Sequence, residues 1–282
     1  MVGGLVALPA GGMIQFASEF IRFSCQATYL LSTRPSILPR LGGVTIAYHH
    51  LPGAQPGVMF CTGFKSDMTG GKALALERQC AEAGRQFTRF DYQGHGASSG
   101  DFEEGTIGQW RADGLAVFDE VTNGPQVIVG SSMGSWIGLL LAVDRPERVS
   151  GFLGIAPAVD FTQALLWPRM SEEARREIEE NGVWYRHSVY EDGPYPIMKT
   201  LIEEGRNNLL LPGPIPFKGP VRLIHGMLDD AVPWSHSVYI AQGIESDDIE
   251  ITFVKDCEHR LSRDTDLDRM INLLEDIIGK VD

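Results

Sequence analysis

Cysteine is scarce. Cys25, Cys61, Cys80 and Cys257 are the only four in 282 residues. None stands at C-x-x-C spacing or has a histidine companion at finger spacing, which argues against a zinc site, and a chain of this size does not need a disulfide framework. Reduced thiols in a cellular compartment are the expectation. Bases are short too: 24 Lys and Arg face 37 Asp and Glu, a formal net charge of −13. A nucleic-acid binder needs a basic footprint to displace counterions, and a polybasic membrane-surface protein needs the same sign, so the composition speaks against both. Long apolar runs are lacking. The uncharged stretch 1–18 is broken by Gly3, Gly4, Pro9, Gly11 and Gly12, which argues against stable membrane insertion. No fixed period recurs, so repeat arrays are excluded.

What remains is an ordinary globular composition, 43% hydrophobic and 22% charged, with enough apolar matter to offset chain entropy. The charge is unevenly spread. Residues 1–42 hold Glu19 against Arg22, Arg34 and Arg40, a net of +2 that leaves −15 for the rest. No positive charge precedes Arg22, so a secretory signal does not fit. The acid-poor segment 1–42 reads as a mitochondrial transit peptide or as a loosely packed leader.

From residue 43 the pattern changes. Short runs rich in β-branched and aromatic residues at 44–49 and 58–61 read as strands, followed by a helix-like stretch at 73–83 and a strand at 86–92. A continuous apolar strand at 126–130 leads into a buried helix at 137–143. Further strands are expected at 149–155, 221–225 and 249–254, with a closing helix at 267–278. Strands alternating with helices predict an α/β fold whose mostly parallel sheet is covered on both faces. Residues 160–217 break the rhythm with a charged helix at 172–180, Trp167, Trp184 and a proline-rich stretch. They read as a cap inserted between two strands of a single domain, 43–282.

Gly130-Ser131-Ser132-Met133-Gly134 matches G-x-S-x-G. The bare pentapeptide is weak, but it follows a buried strand and opens a buried helix, as a nucleophile elbow requires. Ser132 holds the central position, with Ser131 the rival. A serine hydroxyl needs a base to take its proton, and on such a fold the partners follow in the order Asp or Glu, then His. Asp229 falls in the loop after the strand at 221–225, and His259 in the loop after the strand at 249–254. Asp230 and Asp160 are rival acids. Asp229 would hold the His259 imidazole in the tautomer whose other nitrogen faces Ser132. The backbone N–H of Met133 and that of Phe64, from the Cys61-Thr62-Gly63-Phe64 loop, would form an oxyanion hole.

Other groups read more blandly. Gly94-His95-Gly96-Ala97-Ser98-Ser99-Gly100 is not G-x-G-x-x-G and opens no helix, so a tight loop is expected rather than a phosphate cradle. His225 reads as a satisfied strand-end histidine, and Cys61 and Cys257 as small packing residues. Trp167, Trp184 and Tyr185 could line an acyl pocket or form the cap's own small core. No metal or cofactor is called for.

With those residues in hand, the chain resembles the α/β-hydrolase superfamily over residues 43–282, and within it the mitochondrial palmitoyl-protein thioesterases and their bacterial relatives. The resemblance rests on Met68-Thr69-Gly70 with Lys72-Ala73-Leu74-Ala75, then Arg89-Phe90-Asp91-Tyr92, Gly124-Pro125-Gln126, Gly130-Ser131-Ser132 and Arg145-Pro146-Glu147. Further along come Gly182-Val183-Trp184, Pro214-Ile215-Pro216, and His225-Gly226-Met227 with Asp229-Asp230. It implies a small-cap serine hydrolase that takes an S-acylated protein or a small acyl ester, with its catalytic residues falling on Ser132, Asp229 and His259. The expected activity is S-depalmitoylation. The alternatives are a carboxylesterase acting on acyl glucuronides or other small esters and, from another class, a hydrolase-fold protein that binds without turnover. The resemblance strengthens the mitochondrial reading, with a bacterial-type cytoplasmic location as the alternative. Ser135 departs from the pattern, standing where relatives commonly have glycine.

Overall fold

A computed structural model describes residues 34–187 and 193–281. The expected leader lies outside the described residues as far as 33. Its end does not, because Ser36–Pro39 forms strand β1, paired antiparallel with β2 (Thr45–Leu51). The described fold therefore begins at Ser36 rather than at residue 43. Strand β3 (Ala54–Cys61), helix α1 (Gly71–Glu82), strand β4 (Arg85–Phe90) and helix α2 (Ile107–Glu120) follow. Next come β5 (Gln126–Ser131), α3 (Met133–Asp144) and β6 (Val149–Ile155).

After the cap, strand β9 (Val221–Gly226), helix α6 (Ser235–Gly243), strand β10 (Ile249–Val254) and helix α7 (Asp264–Val281) complete the domain. The eight-stranded sheet has the order β1-β2-β4-β3-β5-β6-β9-β10. Strands β4, β3, β5, β6, β9 and β10 run parallel; at one edge β2 runs against them, and β1, paired antiparallel with β2, closes that edge.

The order reverses beside β3. From β3 the chain crosses outward through α1 to β4, then returns through α2 to β5 on the other side. Ligand sites of open α/β sheets form at the carboxyl ends of strands where the winding switches direction, and here β5 ends at that point. Every residue of β5 is buried. A strand covered on both faces reads as a continuous apolar run rather than an alternating one.

Neighbouring residues of β6 show the two covers. A Cβ on Gly151 would meet Ile277 of α7, whereas the ring of Phe152 lies against Gly138 of α3. Successive strand residues point to opposite faces, so α3 and α7 cover opposite sides of the sheet. On the α3 side the core cluster includes Ile128, Trp136 and Phe152, none of them exposed.

The insertion between β6 and β9 contains helical turns at Thr162–Leu166 and Trp167–Arg169, then helix α4 (Glu172–Asn181). A two-stranded antiparallel sheet of β7 (Val183–Arg186) and β8 (Tyr195–Met198) follows, and then helix α5 (Lys199–Gly205). It has a small core of its own, including Leu166, Met170, Ile178 and Ile197, with Trp167 and Trp184 packed against it. Asp160 ties its two ends together: the buried carboxylate accepts the N–H groups of Leu210 at 3.0 Å and Leu211 at 2.7 Å. No described helix is long and apolar enough to cross a membrane.

Candidate active site

Ser132 stands between β5 and α3 with φ 53° and ψ −118°, a backbone conformation that costs a non-glycine residue energy and persists only where its surroundings impose it. The surroundings are backbone. A Cβ on Gly130 would stand 2.5 Å from the Gly134 carbonyl oxygen, and one on Gly134 would stand 2.1 Å from the Cys61 carbonyl oxygen. The Ser132 N–H donates to the Ile155 carbonyl at 2.9 Å, and its carbonyl accepts the N–H of Ala158 at 3.1 Å. The strand-to-helix turn is thus closed from both sides. Ser135, where a glycine was the commoner expectation, is fully buried and donates its hydroxyl to the Gly130 carbonyl at 2.7 Å.

The Ser132 hydroxyl lies 3.2 Å from His259 Nε2, and His259 Nδ1 lies 2.6 Å from Asp229 Oδ2. The loops that carry the two partners are laced together: the N–H of Leu228 donates to the Cys257 carbonyl at 2.9 Å, and that of Met227 to Val254 at 2.8 Å. Gly226 allows this approach, since a Cβ there would stand 2.3 Å from the Cys257 carbonyl oxygen. Lys72, in the first turn of α1, donates Nζ to the Arg260 carbonyl at 2.8 Å. Burial brings this lysine down to about 8.

The Asp229 side chain is wholly buried and that of His259 is 19% exposed. Burial alone would raise the carboxyl of Asp229. Hydrogen bonds from His225 and His259 outweigh it and, with the N–H of Val232, hold the group at about 2. An ionised carboxylate only accepts, so His259 Nδ1 carries the hydrogen and Nε2 is left to accept the Ser132 proton. Asp229 Oδ1 is occupied by the N–H groups of Ala231 at 2.9 Å and Val232 at 2.8 Å.

The hydrogen-bonded chain from Ser132 to Asp229 runs through none of the rival residues. Ser131 is the last residue of β5, paired with Ile155. Asp160 holds the cap ends, and Asp230 is exposed at the cavity rim. The glycine-rich loop at 94–100 folds onto a carboxylate: Asp91 accepts the N–H of Ala97 at 2.8 Å and that of Met68 at 2.7 Å. Cys61 and Cys257 are buried, and burial pushes their thiols up to about 12 and about 11, so neither is a thiolate near neutral pH. Among the described residues, no group of three or more His, Cys, Asp or Glu could hold a metal ion.

Above Ser132 lies a cavity of about 420 Å³, within the range of small-molecule pockets. Its walls include Gly63, Phe64 and Met133 from the sheet side and Phe161, Leu165, Met170, Trp184 and Ile197 from the cap. Phe64 and Met133, the expected oxyanion donors, therefore border the same space as Ser132 and His259. The Phe64 ring also packs on Phe102 at 5.0 Å and on Phe161 at 5.6 Å. Of Trp167, Trp184 and Tyr185, only Trp184 lines the cavity. Trp167 packs in the cap core with the Arg175 guanidinium 5.5 Å over its ring, and Tyr185 is exposed. His225 is more than a satisfied strand end, because it reaches the same Asp229 oxygen as His259, at 3.0 Å.

Three comparisons fit this architecture. Residues 54–185 match the family model described as serine aminopeptidase, S33. Palmitoyl-protein thioesterase ABHD10, mitochondrial, of Bos taurus is 41% identical over 252 residues, which is 88% of this chain and 81% of that protein. The Homo sapiens protein of that name is 40% identical over 250 residues, again 88% and 81%. The solved structure of alpha/beta hydrolase domain-containing protein 10 from mouse superposes with a TM-score of 0.83 at 39% identity, covering 89% of this chain and all of that one. On this evidence the chain belongs to the ABHD10 family of α/β hydrolases, a family of serine hydrolases.

Proposed function

We propose that the chain is a mitochondrial palmitoyl-protein thioesterase that works through an acyl-enzyme on Ser132. The observation that carries the reading is the hydrogen-bonded chain from Ser132 through His259 to a buried Asp229, opening into a cavity with an apolar wall of Phe161, Leu165, Met170 and Trp184. Ser132 Oγ attacks the thioester carbonyl while its proton passes to His259 Nε2. Asp229 stabilises the imidazolium that results. The N–H groups of Met133 and Phe64 donate hydrogen bonds to the carbonyl oxygen as negative charge develops on it, each such donor being worth about 10²–10³ in rate. As the C–S bond breaks, His259 gives its proton to the sulfur. Water then takes the thiol's place, loses a proton to His259 and attacks the acyl carbonyl; the bond to Ser132 Oγ breaks, His259 returns the proton to Oγ, and the fatty acid leaves. No step requires a metal or cofactor. The acyl chain lies along the apolar wall formed by Phe161, Leu165, Met170 and Trp184. The location follows the relatives' naming, and the acid-poor N-terminal residues would serve as an import leader.

The test is hydrolysis of an S-palmitoylated peptide and of oxyesters with matched acyl chains, together with labelling by a fluorophosphonate probe, in wild type and Ser132→Ala. Thioester turnover and labelling that both vanish in Ser132→Ala, with the fold retained, support the reading. Turnover of oxyesters alone would make the protein a carboxylesterase. Tight binding with no turnover would make it a binding protein.

A further inference from the structure

Asp229 has a second imidazole partner. His225, on β9, is fully buried, and its Nε2 lies 3.0 Å from Asp229 Oδ2 and 3.0 Å from the carbonyl oxygen of Val232. Both neighbours are acceptors, so Nε2 carries a hydrogen. The other ring nitrogen, Nδ1, lies 2.7 Å from the hydroxyl of Ser237 on α6, itself fully buried. A buried ring costs least when neutral. A neutral ring with its hydrogen on Nε2 accepts at Nδ1, and Ser237 donates there.

We propose that His225, set in its Nε2–H tautomer by Ser237, is a positioning residue for hydrolysis. It shares Asp229 Oδ2 with His259 and so fixes the direction and basicity of that carboxylate. The inference rests on the reading of Ser132, His259 and Asp229 as the reacting chain.

The geometry leaves the carboxylate little freedom. Oδ1 is held by two backbone N–H groups of its own loop, and Oδ2 by one imidazole from a strand and one from the loop after β10. Strand residues place such groups more rigidly than loops do. Two imidazole donors on one oxygen also lower its pull on the His259 Nδ1 proton, which keeps that proton on His259 when the imidazolium forms. His236, the one histidine of α6, has its Nε2 2.8 Å from the Val159 carbonyl, and Ser237 is the α6 residue bonded to His225.

The experiment measures kcat and KM for thioester hydrolysis across the acid and neutral range, in wild type, His225→Leu, His225→Gln and Ser237→Ala, with thermal melts to verify folding. His225→Leu is expected to lose about ten- to a hundredfold in kcat, the scale of a hydrogen bond to a charged group, with KM little changed. The acid limb moves to higher pH, because a carboxylate with one donor fewer stabilises the imidazolium more. His225→Gln, whose amide N–H reaches the same oxygen, restores most of kcat. Ser237→Ala gives a smaller loss and a limb shift of the same sign.

A folded His225→Leu with unchanged kcat and limb overturns the proposal. So does a loss that His225→Gln fails to rescue while the limb stays in place, since that marks a structural role. Should His225→Leu not fold, Ser237→Ala decides, and an unmoved limb there overturns it. Activity retained by Ser132→Ala would instead defeat the underlying function, which separates the two failures.

Discussion

A side-chain carbon on Gly134 would stand 2.1 Å from the carbonyl oxygen of Cys61. The start of α3 and the end of β3 are in backbone contact there. That contact sets the N–H of Met133 beside the loop that carries Phe64.

The contact makes the first prediction. Backbone cannot yield as a flexible side chain can, so Gly134→Ala must push the turn and the Phe64 loop apart. Overpacking of this kind costs about 1–3 kcal/mol, and misplacing one oxyanion donor costs about 10²–10³ in kcat. Urea midpoints and kcat for a thioester check both. Gly71→Ala, at a site with nothing within 4 Å of the added carbon, serves as the control, with kcat unchanged.

The second prediction follows from the saturation of Asp229. In Asp229→Asn, the amide oxygen must face the two backbone N–H groups of Ala231 and Val232, because they can only donate. That turns the amide NH₂ toward His259 Nδ1, which must then become an acceptor. The hydrogen moves to Nε2, and His259 can no longer take the Ser132 proton. Turnover should fall about 10³–10⁴-fold with KM little changed. A steady-state comparison on one thioester is sufficient, and a loss below tenfold would contradict the assigned role.

Much of this was legible in the sequence, and the exceptions have physical reasons. The strands at 149–155 and 249–254 match β6 and β10 residue for residue, since short apolar runs between turn residues leave little latitude. The order Ser132, Asp229, His259 was readable because each follows a recognisable strand. Helix α2 was not, because its buried face mixes Trp110 and Phe118 with Asp113 and Gly114, which blurs the apolar period. Helix α3 begins four residues before the expected 137, because Met133-Gly134-Ser135 carries no periodic apolar signal and becomes helical through its backbone contact with β3. Strand β1 lay hidden in the acid-poor segment because an edge strand is fixed by its pairing with β2, not by its own burial. The His225–Asp229 bond had a signal in the four-residue spacing across a turn. Only the fold shows that His225 points at the same oxygen as His259.

A third prediction concerns pH and the cap. Burial raises the carboxyl of Asp160 from its ordinary value to about 6, against the opposing N–H bonds from Leu210 and Leu211. A folded-state value above the unfolded one means that the folded protein binds more protons across the interval from about 4 to about 6. Stability from this group is therefore full below that interval and falls as pH rises through it, then levels off. Asp160→Asn removes the titration, and asparagine tolerates the positive φ of 56° at this position. Denaturant midpoints measured at several pH values should show a flatter profile for the variant across the interval. An identical slope in the two proteins would refute the assignment.

The last prediction separates the cap aromatics by position. Trp184 and Tyr185 are neighbours on β7, and strand residues alternate in direction. Trp184 faces the cavity above Ser132, whereas Tyr185 faces solvent. An acyl chain that runs along the cap wall touches Trp184, which lines the same cavity as Ser132, whereas an acetyl group presents only one methyl to that wall. Trp184→Ala should therefore lower kcat/KM for a long acyl thioester by about ten- to a hundredfold, the scale of a lost aromatic contact in an apolar pocket, with little change for acetyl. Tyr185→Ala should leave both substrates unaffected. Trp167→Ala, in the cap core with Arg175 over its ring, should lower cap stability before it alters chain preference. Measuring kcat/KM for an acetyl and a palmitoyl thioester in all three variants tests the arrangement. Equal losses on both substrates in Trp184→Ala would show that the cap supports the reacting groups rather than the acyl chain, and the proposed path of the chain along Phe161, Leu165 and Met170 would then be wrong.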